Sequence, residues 1–251
     1  MSLKDALLGL LFPPVCLLCG EREEKDGLCA SCRKKFARET FLRCPICHET
    51  ADRCLCGTDL LRGANTELAG RRFLALTWYV PVKNAAEEPD RVTEKMILML
   101  KDRASFADFF AGELARELNR LFELAGEDPR EWTVSFCPRS AERFMKTGFD
   151  QSEEIARRVS KKLGCPAENL FARVTESEEQ KNLGGYERKA NARDSILLRK
   201  SRFRRGSKVL LIDDILTTGA TVSSCAGLLV EAGASKVFPA VLSRALTKEK
   251  R

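Results

Sequence analysis

The spacing of apolar positions changes near residue 62. Beyond it, residues 73–80 form a short apolar run of strand length, and residues 92–101 and 106–124 repeat apolar side chains at helical spacing. Residues 133–137 are a second short run, halted by Pro138. Residues 152–163 read as an amphipathic helix, 208–212 as a buried strand, 220–231 as a helix and 236–242 as a final strand. Residues 176–194 are polar, contain Gly184-Gly185 and lack a strong period. Strands alternating with helices predict an α/β domain over residues 63–251 with a parallel or mixed sheet. No internal repeat or low-complexity tract interrupts it.

Residues 1–62 have short segments and few large apolar side chains. Their longest apolar stretch, residues 6–15, is too short to span a bilayer. Pro13 and Pro14 occupy the place where a signal peptidase needs small residues. We read the stretch as an amphipathic helix packed on its own domain. With no other targeting segment, a cytoplasmic location is expected.

Eight of the 11 cysteines crowd into this region as Cys16-x-x-Cys19, Cys29-x-x-Cys32, Cys44-x-x-Cys47 and Cys54-x-Cys56. In a reducing compartment such pairs point to metal rather than disulfides. Two knuckles supply one tetrahedral Zn²⁺ site, so the chain predicts two structural zinc ions. Gly20 and Gly57 suit tight turns after Cys19 and Cys56. Sequential sites (16/19/29/32 and 44/47/54/56) need only short loops, and interleaved sites are the alternative. His48, the single histidine, is read as a surface residue because the cysteines alone fill both sites. A module folded by metal predicts that chelation unfolds residues 1–60 and leaves the rest helical. Cys137, Cys165 and Cys225 lie in apolar contexts and read as small core residues.

The most informative run is Val209-Leu210-Leu211-Ile212-Asp213-Asp214-Ile215-Leu216-Thr217-Thr218-Gly219-Ala220-Thr221. A buried strand leads into two acids, a Thr/Gly turn and a helix, at the strand end where α/β sheets bind ligands. Backbone amides and hydroxyls of residues 217–221, with the helix dipole, suit a phosphate dianion. Asp213 and Asp214 would repel that phosphate but can accept hydrogen bonds from a cis-diol. A phosphate near a cis-diol describes a ribose 5-phosphate. The run resembles the 13-residue signature of type I phosphoribosyltransferases, which bind phosphoribosyl pyrophosphate (PRPP). Displacement at the anomeric carbon of PRPP expels pyrophosphate, whose charge needs a second amide-bearing turn, cations and Mg²⁺. Cys137-Pro138-Arg139-Ser140 supplies that turn, with Arg139 and Ser140 as candidate pyrophosphate ligands. Residues 176–191 are a candidate lid carrying Lys181, Arg188 and Lys189.

Taken together, the cysteine module, the turn at Cys137-Pro138, residues 146–151, residues 180–191 and the signature resemble the ComF family, in that family's order and over nearly the whole chain. Where the family usually reads Arg-Gly-Phe-Asn-Gln, this chain has Thr147-Gly148-Phe149-Asp150-Gln151, and it has Cys137 where Val usually precedes the Pro. Lys146 is a candidate stand-in for the lost arginine, though a point charge is not equivalent to a guanidinium. The resemblance implies a type I phosphoribosyltransferase-like parallel sheet flanked by helices, preceded by a double zinc-ribbon domain, with a link to competence and DNA uptake. It implies a transferase centred on Asp213 and Asp214 whose acceptor is open, and related transferase folds often dimerise. The alternative is a non-catalytic assembly factor that docks a helicase-like partner through its zinc ribbons and touches single-stranded DNA. Charge adds little: the formal net charge of +7 falls to about +3 once two zinc tetrathiolates are counted. The run Arg199-Lys200-Ser201-Arg202-Phe203-Arg204-Arg205 is the strongest local basic feature, read either as a phosphate-tracking strip or as a solvated loop.

Overall fold

The computed structural model describes residues 15–21, 27–56, 67–79, 92–100, 104–139, 150–173 and 196–245. Four parallel strands form the central sheet: β1 (Leu74–Tyr79), β2 (Trp132–Phe136), β5 (Lys208–Leu216) and β6 (Lys236–Ala245), in the order β1-β6-β5-β2. A separate antiparallel pair, β3 (Phe171–Arg173) and β4 (Ile196–Leu198), was not expected from the sequence. Among the described residues the helices are α1 (Ala30–Thr40), α2 (Thr93–Met99), α3 (Ala104–Ala125), α4 (Gln151–Leu163) and α5 (Ala220–Glu231). No helix among the described residues is long and apolar enough to cross a membrane. The expected helix at 6–15 and the candidate lid at 176–191 lie outside the described residues, apart from Val15.

Alternate side chains of the strands feed two cores, as the strand period requires. Leu210, Ile212, Phe238, Ala240 and Leu242 face α3 and α4, whose Phe106, Phe110, Leu114, Ile155 and Val159 are fully buried. Val209, Leu211, Val237 and Val241 face α5, with its Val222, Cys225, Ala226 and Leu229, and the β3–β4 pair. Burial on both faces explains why the strands read as continuous apolar runs.

Helix α1, which sequence periodicity did not reveal, has Cys29 as its N-cap, with the Sγ accepting from the Cys32 amide at 3.4 Å. Its Phe36 makes edge-to-face contacts with Phe109 and Phe110 of α3, with ring centroids 5.2 and 6.2 Å apart. Its Glu39 accepts from the amides of Val92 and Thr93 at 2.5 and 3.2 Å, capping α2, which has no side-chain cap of its own. Trp78 of β1 donates its indole N–H to the Leu42 carbonyl at 2.8 Å. Cys16, Cys29 and Cys32 belong to the core on the α3/α4 face, and Cys44 and Cys54 to the core on the α5 face. The cysteine module therefore straddles the β1 edge of the sheet, contributing to the core on each side.

Strand β5 runs four residues beyond the expected 208–212, so Asp213 and Asp214 lie within it. The cause is tertiary: parallel pairing with β6 continues through Asp213↔Val241 and Ile215↔Ser243 to Leu216↔Arg244.

Candidate functional site

The C-terminal ends of β2 and β5 lie side by side. Their pairing ends at Phe136↔Ile212 and is carried one residue further by the Cys137 amide, which donates to the Ile212 carbonyl at 2.9 Å. Pro138 has no amide to continue the ladder. Half-buried Arg139 therefore sits just beyond the strand end, and its amide donates to Asp150 Oδ2 at 3.1 Å.

Asp150 also caps α4. Its Oδ1 accepts from the amides of Ser152 and Glu153 at 2.9 and 3.3 Å. Ser152 turns its hydroxyl to Asp213 Oδ1 at 3.1 Å. One carboxylate thus ties the 137–139 turn to the helix that holds Asp213 in place. Neither Asp150 nor Ser152 was singled out as a site residue from sequence. The signal was present as an Asp followed three residues later by Glu153, an N-cap pattern.

Asp213 is half-buried, and its carboxyl is pushed up to about 8 by burial, by the adjacent Asp214 charge and by Asp150, against hydrogen bonds from the Asp214 amide and Ser152. Asp214 accepts from the Ile215 amide at 2.6 Å. Thr217 and Thr218 are exposed, and Gly219 follows at φ +79°, a left-handed turn that a Cβ would disfavour. Gly219 is the N-cap of α5 and offers no side chain to its first amides. Thr218 Oγ1 accepts from the Ala220 amide at 3.4 Å, and the first helical bond is Ser223 N–H to the Gly219 carbonyl at 2.8 Å. The arrangement juxtaposes two acids with an uncapped helix N-terminus, an anion-binding geometry beside hydrogen-bond acceptors. Beneath it, Cys137 is buried, and burial, Cys225 and the two acids hold its thiol protonated, in keeping with a core role. Ser140, Lys181, Arg188 and Lys189 lie outside the described residues.

The eight cysteines form two sequential clusters, Cys16/Cys19/Cys29/Cys32 and Cys44/Cys47/Cys54/Cys56, with the ligand atoms of each within 4.8 Å of one another. Interleaving is thereby excluded. The leading knuckles repeat at a 28-residue interval. Cys16 N–H bonds to the Glu21 carbonyl at 2.7 Å and Cys44 N–H to that of Glu49 at 2.8 Å. Gly20 and His48 donate their amides to the carbonyls of Cys16 and Cys44 at 2.9 and 3.0 Å. Gly20 has φ +77° and His48 φ +58°, so the single histidine fills the left-handed turn position rather than a ligand position. That conformation costs a non-glycine residue about 1 kcal/mol. His48→Gly is expected to raise the melting temperature of the metal-loaded protein by roughly 2–4 °C. An unchanged or lower melting temperature would show that the imidazole makes an offsetting contribution.

Within each cluster the thiols diverge. Against the effect of burial, backbone amides bring Cys16 down to about 6 and Cys44 to about 7. Burial and neighbouring thiols hold Cys32 and Cys54 far above the usual thiol range. Four thiolates this close cannot all ionise without a cation, and the donor set fits tetrahedral Zn²⁺. A second fit comes from Arg244 of β6, whose residue is 1% exposed. Its guanidinium lies 5.4 and 5.6 Å from the ring centres of Phe73 and Trp78 and donates to the Cys56 carbonyl. Its Nε and Nη1 are buried without a hydrogen-bond partner among the described residues. A buried cation left this way is stabilised by a nearby dianionic tetrathiolate.

Residues 150–251 match the family of phosphoribosyl transferase domains. The DNA utilization protein YhgH of Salmonella typhimurium is 27% identical over 225 residues, covering 88% of this chain and 98% of that protein. The competence protein ComFC of Streptococcus pneumoniae is 26% identical over 236 residues, covering 88% and 96%. Competence protein F of Haemophilus influenzae is 25% identical over 235 residues, covering 88% and 92%.

Proposed function

We infer that this member of the ComF family binds PRPP at the C-terminal ends of β2 and β5 and acts there as a phosphoribosyltransferase. The observation that carries the reading is the pair Asp213 and Asp214 at the end of β5, followed at once by the uncapped N-terminus of α5. The 5-phosphate is received by amides and hydroxyls of residues 217–221, where the helix dipole favours a dianion. Asp213 and Asp214 accept from the ribose cis-diol. Arg139, with Ser140, Lys181 and Arg188, meets the pyrophosphate. Ser152 positions Asp213 through its 3.1 Å bond. The oxygen donors of the two acids also suit Mg²⁺, which would neutralise the leaving pyrophosphate.

Both cysteine clusters hold Zn²⁺ in this reading, as closed structural sites with no position left for substrate. The requirement for free thiolates supports a reducing, cytoplasmic setting. The names of the relatives connect those proteins with DNA utilisation and competence, and we place the ribose-phosphate site within a role of that kind. The alternative of a purely non-catalytic assembly factor receives less support, because it leaves the paired acids and the open helix terminus without use.

Calorimetric titration of PRPP into zinc-replete protein tests the site. Saturable binding strengthened by Mg²⁺ is expected. No heat at millimolar PRPP, with the protein folded, would refute it.

A further inference from the structure

The two cysteine clusters share a backbone pattern but differ in the charge around them. Arg244 is the only buried lysine or arginine among the described residues. It stands at the second cluster, where its Nη2 donates to the Cys56 carbonyl and two further guanidinium nitrogens have no partner among the described residues. Burial disfavours its charge. The groups that favour that charge are Cys54, Cys56, Cys44 and Cys47, all four members of the second cluster, and no carboxylate is among them.

The sheet fixes this cation in place. Strand register sets Arg244 between Trp78 of β1 and Leu216 of β5. Phe73 and Trp78 face its guanidinium, and both belong with Leu216, Cys44 and Cys54 to the core on the α5 face. The first cluster has no counterpart. Arg33, next to Cys32, is exposed and turned to Glu113, with Nη1 3.7 Å from Oε1. Backbone amides, burial and sister thiols act on Cys16, Cys19 and Cys32 instead.

A zinc tetrathiolate carries a charge of about −2, and a guanidinium fixed beside it offsets about half of that. Groups placed behind the ligands in this way tune a metal centre's affinity and the reactivity of its ligands. Cys19 and Cys47 are the matching second cysteines of the leading knuckles, and both reach the surface. The charge behind them differs. We propose that Arg244 is the counter-charge of the second metal centre and makes the two centres unequal: the thiolates of the second are the less nucleophilic, and the first is the chain's site of attack by thiol-modifying electrophiles. This inference rests on zinc in both clusters and is independent of the ribose-phosphate site.

The test is timed alkylation of the full zinc-loaded chain with iodoacetamide, read cysteine by cysteine by peptide mass mapping. In each event a thiolate sulfur bonds to the reagent's methylene carbon and iodide leaves. In the parent, Cys19 should react faster than Cys47 and Cys56. Arg244→Gln should quicken Cys47 and Cys56 about tenfold and leave Cys19 within about twofold of the parent. Arg244→Lys, which keeps the charge, should stay near the parent at all of them. Reaction at Cys47 as fast as or faster than at Cys19 in the parent overturns the proposal, and that comparison needs no variant to fold. An unchanged pattern in Arg244→Gln also overturns it. So does equal quickening by Gln and Lys, which would leave Arg244 a packing role, or equal quickening of Cys19 and Cys47, which would mean loosening of the whole chain. Fewer than two zinc ions per chain by elemental analysis would refute the zinc reading and this inference with it, an outcome separate from every alkylation result.

Discussion

Asp213→Asn should melt at a higher temperature than the parent above pH 8 and lose about a hundredfold in PRPP affinity. Burial, the Asp214 charge and Asp150 raise this carboxyl to about 8 in the folded chain. Unfolded, it titrates near 4. A group raised on folding favours the folded state while protonated. Its contribution is complete below the unfolded value and is lost as pH rises toward and through about 8. Asn mimics the neutral form at every pH, and its Oδ1 can still accept from Ser152 and the Asp214 amide, which both use Asp213 Oδ1.

Asp213 is half-buried, and relaxation of its surroundings offsets much of the burial penalty, so the gain is about 1–2 kcal/mol, or roughly 3–6 °C. Binding moves the other way. An ionised carboxylate accepting from ribose hydroxyls contributes about 1.5–3 kcal/mol, which Asn does not replace. For the same reason, the parent's PRPP affinity should climb as pH passes through about 8. Differential scanning at several pH values and calorimetric titration read both effects. Undiminished PRPP affinity in the variant would end the diol assignment, and a lower melting temperature at pH 9 would end the electrostatic one.

Stripping the metal is expected to destabilise the whole chain, not only its first 60 residues. Regarded alone, a small Cys-rich segment would unfold by itself and leave an intact α/β domain. The packing changes that expectation. Cys16, Cys29 and Cys32 are part of the core that carries α3 and α4, and Cys44 and Cys54 part of the core that carries α5. Glu39 caps α2, Phe36 packs on α3, and Arg244 is buried against the second cluster. A structural zinc site contributes roughly 10–16 kcal/mol of apparent binding energy, comparable with the total stability of a domain at about 5–15 kcal/mol. Strong chelation, followed by zinc release and far-ultraviolet circular dichroism, should therefore remove helix from the α/β part as well, in one transition. A separate helical unit that melts unchanged after zinc release would show that residues 63–251 fold independently, and the proposed boundary at 62 would then mark two autonomous domains.

Much of this protein was legible locally. Continuous apolar runs located the sheet strands because parallel strands covered on both faces need no polar side. The period of α3, α4 and α5 survived because each buries one stripe. The acids followed by Thr217-Thr218-Gly219 were visible because a strand-to-helix turn is built from adjacent residues. Cysteine spacing announced two four-cysteine clusters because a knuckle is also local.

Interactions between distant segments were not legible. Sequential pairing of the knuckles was one of two arrangements until the clusters formed. Asp213 and Asp214 belong to β5 because β6 pairs with it as far as Arg244, a decision made across the sheet. Asp150 and Ser152 joined the site only when α4 docked beside β5. Arg244, 188 residues from Cys56, reads in sequence as one more cation near the C-terminus. Only the closed fold buries it beside the thiols. Short-range geometry and burial are written in runs and spacings, whereas the partner of a charge or a hydrogen bond is set by which distant elements pack together.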